Sequence, residues 1–547
     1  MPPLVTEQLA DWIVGLRYED IPERVRERAR WQIASTFAAV AASTASDSAH
    51  AIRRAVSRWA SPGPCSVLAG GERLGIFDAV TVNSAWSMAL DYDDYLYMGH
   101  TGHSAVLGSW ALGEAFGRSA RDVITAQVVA NEVGGRVGAS VVLGPQNGQA
   151  WSFIHAAEGA ALASRLLGLT REQTAHAIAI ALYQPTFTLW PGFMGPGSKL
   201  LTAAGPTVAG IQAALFAVEG LTGARDIFEH PRKGFWASFA WVPLPQMMGG
   251  LGSAWVSDTL AFKRYPGCAY VDTPLDALFM VLDEFRDARG RALVAEDVSR
   301  IRVEANLLTV EMDNLSSEHL AIDAPLSPIN VNFSVPLNLA IAIVAGTHEG
   351  RSLAQPVLDH NATAIRTLAH KTELVHDWSM SMQVARAFDG ALGRAGALRS
   401  LAPRQYLSLL SGYRQQLGGK KRTSVRPEAL IRSSVLKEAR RALGSARRGS
   451  RGEPDLSQVD FTRFRMVFPA RVTLETRDGR RYSARQDVPF GAPGQERMKE
   501  SVEEKLRREL RDRLAPEQLS HLWQLLTRLE DFSLDDVGRV LLESSSS

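Results

Sequence analysis

Asp91-Tyr92-Asp93-Asp94, followed by Gly99-His100-Thr101-Gly102-His103-Ser104, decides how the chain is read. Three carboxylates and two imidazoles fall within thirteen residues. The apolar run before it, Val80 to Leu90, reads as a buried helix, and Ala105 to Phe116 reads as another. An ionisable loop between two buried helices puts titratable groups inside an apolar body. There, desolvation and neighbouring charge tune an acid or base toward neutral pH. An aspartate run at a helix end also serves as a plain cap, so the cluster has to be weighed with the rest of the chain.

Outward from this loop, 547 residues with 46% hydrophobic and 22% charged leave room for two or three globular domains. A net charge of +2 gives no reason to expect a nucleic-acid or membrane partner. Met1 to Gly15 is an amphipathic helix pattern carrying Glu7 and Asp11, not a signal-peptide core, and no stretch reads as a membrane span. Two cysteines, Cys65 and Cys268, fit a reducing cytoplasm. They are too few for the three or four thiolates of an iron–sulfur cluster.

The first 267 residues read as a helical body. A stripe of Val25, Ala29, Ile33 and Phe37 marks a helix after Pro22, with Arg24, Arg26, Arg28 and Arg30 expected to face water. Ser61-Pro62-Gly63-Pro64 reads as a break. Ser119 caps a helix to about Val142, in which Gly134, Gly135 and Gly138 suggest close helix contact. Gly144 to Gly148 is a loop, and helix returns over 155–167. Thr170 and Gln173 form a capping box for a helix to Tyr183. A turn-rich stretch precedes the helix Leu200 to Glu219. Residues 268–492 read as α+β: a helix from Pro274, alternation over Val298 to Val310, and a hairpin turning at Arg477-Asp478-Gly479-Arg480. Residues 378–460 form a basic helical insertion (Lys420-Lys421-Arg422, Arg440-Arg441, Arg447-Arg448, Arg451) with a flexible linker over 444–454. The helices of 493–547 and a disordered tail, Ser544 to Ser547, close the chain.

Several short motifs fail. Gly102-His103-Ser104-Ala105-Val106 lacks the second glycine and the preceding strand of a nucleophile elbow. In Gly192 to Lys199, Ser198 separates glycine from lysine, which spoils a phosphate loop. His100 and His103 with Asp91 and Asp94 match no established metal pattern, so no metal is expected. What survives is a set of separated ionisable residues in small-residue or turn-rich settings: Asp91 to His103, His155, Lys199 after Gly195-Pro196-Gly197-Ser198, and Lys263-Arg264-Tyr265-Pro266. A lysine at a helix N-terminus is disfavoured by the dipole and calls for an anion beside it.

The order and spacing of these sites resemble the MmgE/PrpD family, which includes 2-methylcitrate dehydratase, cis-aconitate decarboxylase and iminodisuccinate epimerase. The matching segments are Ala89–Ala115, the stretch from Ser152 through Ala181, Gly197–Gly205, Phe262–Tyr270 and Pro469–Arg481. The resemblance implies a mainly α fold: a large all-helical domain, a smaller α+β lid, and an active site in the cleft between them. It further implies a homodimer and no cofactor. Carried over residue by residue, it gives Asp91, His155, Lys199 and a loop histidine, His103 or else His100, as catalytic. Lys263, Arg264, Tyr265, Tyr95 and Asp94 become candidates for binding substrate.

Three departures from the family pattern each remove a small polar or basic group: Tyr95, Thr202, and Cys268-Ala269-Tyr270. They suggest a substrate with fewer carboxylates, or a bulkier one lined by Phe187, Trp190 and Phe193. The expected chemistry is proton transfer α to a carboxylate or carbonyl, with His103 and His155 as acid and base and the lysines holding negative charge. A hydro-lyase acting on a hydroxy-polycarboxylate is the first expectation. Decarboxylation of a cis-aconitate-like acid, or isomerisation, epimerisation or cyclisation of a less polar metabolite, needs the same parts. A non-catalytic binding descendant is the rival from another class.

Overall fold

A computed structural model describes residues 3–44, 46–145, 152–320, 324–392, 405, 408, 411, 423–424 and 456–543. The fold is mainly α, with a few short sheets. Helices α1 (Val5–Gly15), α2 (Glu23–Ser43) and α3 (Asp47–Val56) lead into a hairpin of β1 (Pro62–Val67) and β2 (Glu72–Leu74). Helix α4 (Ile76–Ala89), the two-residue strand β3 (Asp94–Tyr95) and α5 (Gly102–Ala115) follow, then α6 (Ala120–Ser140), α7 (Phe153–Leu167), α8 (Arg171–Leu182) and the short α9 (Trp190–Phe193). Helices α10 (Leu201–Val218) and α11 (Phe235–Phe239) and strand β4 (Ala261–Phe262) complete this half.

The capping box expected at Thr170 is present: its hydroxyl accepts from the Gln173 N–H, and the Gln173 side chain accepts from the Thr170 N–H. The tightest helix contact is α7 on α10. A Cβ on Gly159 would stand 2.5 Å from the Thr207 carbonyl oxygen, and one on Gly210 would stand 2.1 Å from that of Ala156. Gly197–Val218 is long and apolar enough to cross a membrane by length and composition, yet α10 packs within the body against α4, α7 and α8.

Three readings of this half need correcting. Pro62-Gly63-Pro64 is not a break but the irregular start of β1. A Cβ on Gly63 would lie 2.5 Å from the Leu74 carbonyl oxygen, so glycine lets the strands close there, and the prolines sit on an edge. The α2 arginines are not simply solvated. Arg24 pairs with buried Asp258 at 3.1 Å, Arg30 pairs with Glu530 at 2.5 Å, and Arg26 lies over the Tyr18 ring. Third, Asp47–Val56 forms a separate helix, α3, in addition to the helices expected over Met1 to Gly15 and after Pro22.

The second half carries α12 (Asp272–Arg289), β5 (Val298–Ala305), α13 (Leu307–His319), α14 (Val335–Ala345), α15 (Gln355–His370), β6 (Thr372–His376) and α16 (Trp378–Ala391). The alternation over Val298 to Val310 holds only to Ala305. Asn306 then caps α13 by accepting from the Leu308 and Thr309 N–H groups. Strands β7 (Ala470–Thr476) and β8 (Arg481–Gln486) complete a sheet in the order β6-β5-β7-β8, parallel between β5 and β6 and antiparallel elsewhere. Ile301, Val303, Val472 and Leu474 bury one face of it against α12 and its neighbours. Helices α17 (Met498–Leu510), α18 (Pro516–Thr527) and α19 (Leu534–Glu543) end the described chain, and α17 runs along α2. Of the 378–460 insertion, α16 is described. The basic clusters at 420–422, 440–441, 447–448 and 451 and the linker over 444–454 lie outside the described residues, as does Ser544 to Ser547.

Candidate active site

Helix α4 stops at Ala89 and the chain turns sharply at Asp91, whose φ of 51° is a left-handed conformation few non-glycine residues adopt. The turn aims the Asp91 carboxylate inward. Strand β3 then pairs with β4, Asp94 opposite Phe262 and Tyr95 opposite Ala261, which returns Lys263 to the same loop. The Lys263 ammonium, fully buried, donates to Asp91 Oδ1 at 2.9 Å, to the Asp91 carbonyl at 2.7 Å and to Asp93 Oδ1 at 2.5 Å. On its other side Asp91 Oδ2 lies 3.0 Å from Lys199 Nζ. The anion that Lys199 called for is therefore Asp91, although Lys199 sits in a 3-10 turn, Gly197–Leu200, just ahead of α10.

Asp93 carries the cluster on to the imidazoles. Its Oδ2 lies 2.7 Å from His100 Nδ1 and 3.1 Å from His103 Nε2. His103 opens α5, and its Nδ1 is 2.6 Å from Ser87 Oγ. Because the Ser87 hydroxyl donates to the Ser84 carbonyl, it accepts from His103 Nδ1–H. The His155 ring is centred 6.0 Å from that of His103, and its Nδ1 lies 2.8 Å from Ser104 Oγ. Ser104 in turn donates to Glu158, leaving His155 Nε2 buried with no hydrogen-bond partner among the described residues.

Burial and pairing pull these groups in different directions. Burial alone would neutralise Asp91 and Asp93, but the neighbouring lysines and histidines outweigh it and hold both below the usual carboxylate range. Lys263 gains more from Asp91 and Asp93 than it loses by burial, so it stays charged. For Lys199 burial wins, and its pKa falls below the ordinary lysine value despite Asp91. Burial, helped by His103, pushes His155 well below the usual imidazole range, so it is neutral at physiological pH. Burial likewise lifts Glu158 well above the usual carboxylate range.

A cavity of about 370 Å³ opens beside this cluster. Of the sequence-derived candidates, Asp91, His100 and Tyr95 line it. His103, His155, Lys199 and Lys263 converge with them but stand one layer behind the wall. Lys199 touches it indirectly, its Nζ 4.3 Å from the Phe333 ring centre and 5.2 Å from that of Phe193, and both rings line the cavity. His100, with 17% of its side chain exposed, is the imidazole that reaches open space, whereas His103 is fully buried. Trp190 and Phe193 line the cavity as expected; Phe187 is not among its lining residues.

Three candidates for substrate binding are held elsewhere. Asp94 accepts from Gln32 Nε2 at 2.8 Å and from the Gly102 N–H at 3.2 Å, so it ties the loop to α2 and α5. Arg264 reaches outward to Glu504, and Tyr265 donates to Asp276 of α12. None of the three lines the cavity.

Other contributors were not singled out from the sequence. Asp93, the hub between lysine and histidines, stood in the quoted run without a role of its own. Glu158, one helical turn after His155, was legible from that spacing. Lys505 on α17 donates to the Tyr92 carbonyl at 2.5 Å and to Ser35 Oγ at 2.9 Å, and nothing in an amphipathic helix pattern announces it. Among the described residues no set of three or more His, Cys, Asp or Glu side chains is arranged to hold a metal ion.

Comparison with known proteins adds the following. Residues 7–243 match the MmgE/PrpD N-terminal domain. Cis-aconitate decarboxylase of Aspergillus terreus is 26% identical over 360 residues, covering 62% of this chain and 72% of that protein. The cis-aconitate decarboxylase-like protein oryM of Aspergillus oryzae is 26% identical over 247 residues, 43% of this chain and 51% of its own length. Cis-aconitate decarboxylase of Homo sapiens is 29% identical over 275 residues, 48% of this chain and 56% of its own.

Proposed function

We propose that this chain, whose residues 7–243 match the MmgE/PrpD N-terminal domain, is a cofactor-independent lyase that decarboxylates an unsaturated carboxylic acid. The observation that carries the reading is the buried line Lys199–Asp91–Lys263–Asp93–His100, which ends at a cavity wall. The names of the relatives support loss of carbon dioxide over the dehydration expected first.

In this reading the substrate enters with a carboxylate one carbon away from a C=C or C=O bond. The carboxylate meets the end of the cavity lined by Tyr95, whose buried hydroxyl has no hydrogen-bond partner among the described residues and is free to donate. The bond to the carboxylate carbon breaks, CO2 leaves, and the electron pair shifts through the double bond to its far atom. That atom takes a proton from His100 Nε2, and solvent restores the proton, so one acid anion and one proton yield one neutral product and CO2. Asp93 holds His100 by Nδ1 so that Nε2 is the atom turned to substrate. His103 and Lys263 fix Asp93 from behind. Positioned proton transfer of this kind is worth on the order of 10²–10⁴ in rate.

The test is CO2 release by the purified protein over a panel of unsaturated acids that includes cis-aconitate. Release that falls to background in His100→Ala supports the assignment. A panel with no release from any acid, or full release by His100→Ala, removes it.

A further inference from the structure

The geometry points to a substrate with a single carboxylate and an apolar, aryl or alkyl arm, in place of a polycarboxylate; this inference rests on the lyase reading above. Among the described residues the cavity wall carries no Lys, Arg, Ser, Thr, Asn or Gln side chain. Its polar groups are Asp91 and His100 at one end, a thiol and phenols. The remainder is aromatic and aliphatic: Phe388 and Phe468 with ring centres 5.8 Å apart, Tyr270 edge-on to Phe468 at 5.0 Å, and Met312 and Met466 beside them.

Charge leads to the same class. Lys199 and Lys263 face Asp91 and Asp93, so two ammonium groups are cancelled by two carboxylates. Further back, Lys505 is tied to the Tyr92 carbonyl and Ser35, and Asp94 to Gln32 and the Gly102 N–H, so neither is turned to the cavity. A trianion entering here meets two ammonium groups already matched by two carboxylates, and its three negative charges would have only phenols, a thiol and one imidazole to share. Burying an unpaired carboxylate is strongly unfavourable. One carboxylate has a place, at the end where the unpartnered Tyr95 hydroxyl lines the wall, its ring centred 5.9 Å from that of His100. The other walls suit an apolar body, with aromatic edges presented to it.

The experiment presents the full chain with cis-aconitate, 4-phenylbut-3-enoate and 3-decenoate in parallel, measuring calorimetric affinity and CO2 release. Each tailed acid is expected to bind about tenfold or more tightly than cis-aconitate. Phe468→Ala is expected to weaken 4-phenylbut-3-enoate by about fivefold or more, and Phe468→Leu, which keeps the volume apolar, is expected to retain most of the affinity. Cis-aconitate binding as tightly as the tailed acids overturns the inference, whether or not it is decarboxylated. Equal weakness of all three acids overturns it as well. Tight binding of the tailed acids without CO2 release upholds the substrate class and rejects the lyase reading.

Discussion

Lys263 Nζ lies 2.5 Å from Asp93 Oδ1 across 170 residues of sequence, and both side chains are fully buried. The pair joins the strand after the helical body to the loop that carries the histidines. Breaking a buried pair from one side leaves an uncompensated charge. Lys263→Met is therefore expected to lose about 3–5 kcal/mol of stability, read by denaturant unfolding. Lys263→Arg, which keeps the charge, is expected to lose less. Equal stability of Lys263→Met and the parent would mean that the pair holds nothing together.

His100 and His103 separate by role. His100→Ala removes the imidazole at the cavity wall and, on the lyase reading, is expected to lower turnover about 10²-fold or more with little change in stability. His103→Ala removes a fully buried ring between Ser87 and Asp93, so it is expected to lower both turnover and melting temperature. Full turnover in His100→Ala together with loss in His103→Ala would reverse the assignment and make the buried ring the reacting one.

Gly134 tests the support behind His155. A Cβ there would stand 1.9 Å from Glu158 Oε1, with Glu158 receiving the Ser104 hydroxyl that also meets His155. Gly134→Ala is expected to cost about 1–3 kcal/mol by overpacking and to reduce turnover as Glu158 shifts. Gly15→Ala, at the end of α1 with open space around its Cβ position, is expected to be neutral or slightly stabilising. Circular dichroism melts and turnover on both variants decide this.

Lys505 predicts a pH dependence. Burial pushes its ammonium down to about 7, and Asp93 and Asp94 only partly offset this. Between about pH 7 and the ordinary lysine value the unfolded chain binds more protons than the folded one, so this group makes stability rise with pH. Its contribution is fully present above the ordinary lysine value and is lost as pH falls through about 7. Lys505→Met lacks that slope, so the parent should gain on the variant by about 2–3 kcal/mol between pH 7 and pH 9. Asp276, whose buried carboxyl is pushed up to about 7, acts with the opposite sign below that pH and is common to both proteins. Unfolding midpoints at the two pH values give the answer; parallel curves would contradict it.

A second copy of the chain is expected against the exposed apolar side of α10, where Leu201 and Phe216 are about half exposed. Light scattering should return a dimer mass. A Leu201→Glu, Phe216→Glu double variant should return a monomer. A monomeric parent ends the expectation.

Much of the architecture was legible because it rests on local pattern. The Thr170 capping box, the 3.6-residue stripe of α2 and the hairpin at Gly479 are written in neighbouring residues. The Asp91 to His103 run was legible as a centre for a similar reason: charged residues flanked by buried helices have nowhere to go but inward. What escaped depends on tertiary pairing. Arg24 and Arg30 looked solvated until Asp258 and Glu530 arrived from far along the chain. Arg264 and Tyr265 share a motif with Lys263, yet only Lys263 is turned to Asp91 and Asp93; Tyr265 is buried against Asp276 and Arg264 reaches Glu504. The exchange of His103 for His100 at the cavity wall turns on where α5 begins, one residue before His103. No composition rule sets that boundary.

The clamp from Lys505 to the Tyr92 carbonyl spans 413 residues. A ribosome must therefore translate through α17 before the loop that carries Asp91 and Asp93 can take its final shape. During synthesis the emerging polypeptide holds its acids and imidazoles without the brace that sets them until α17 arrives.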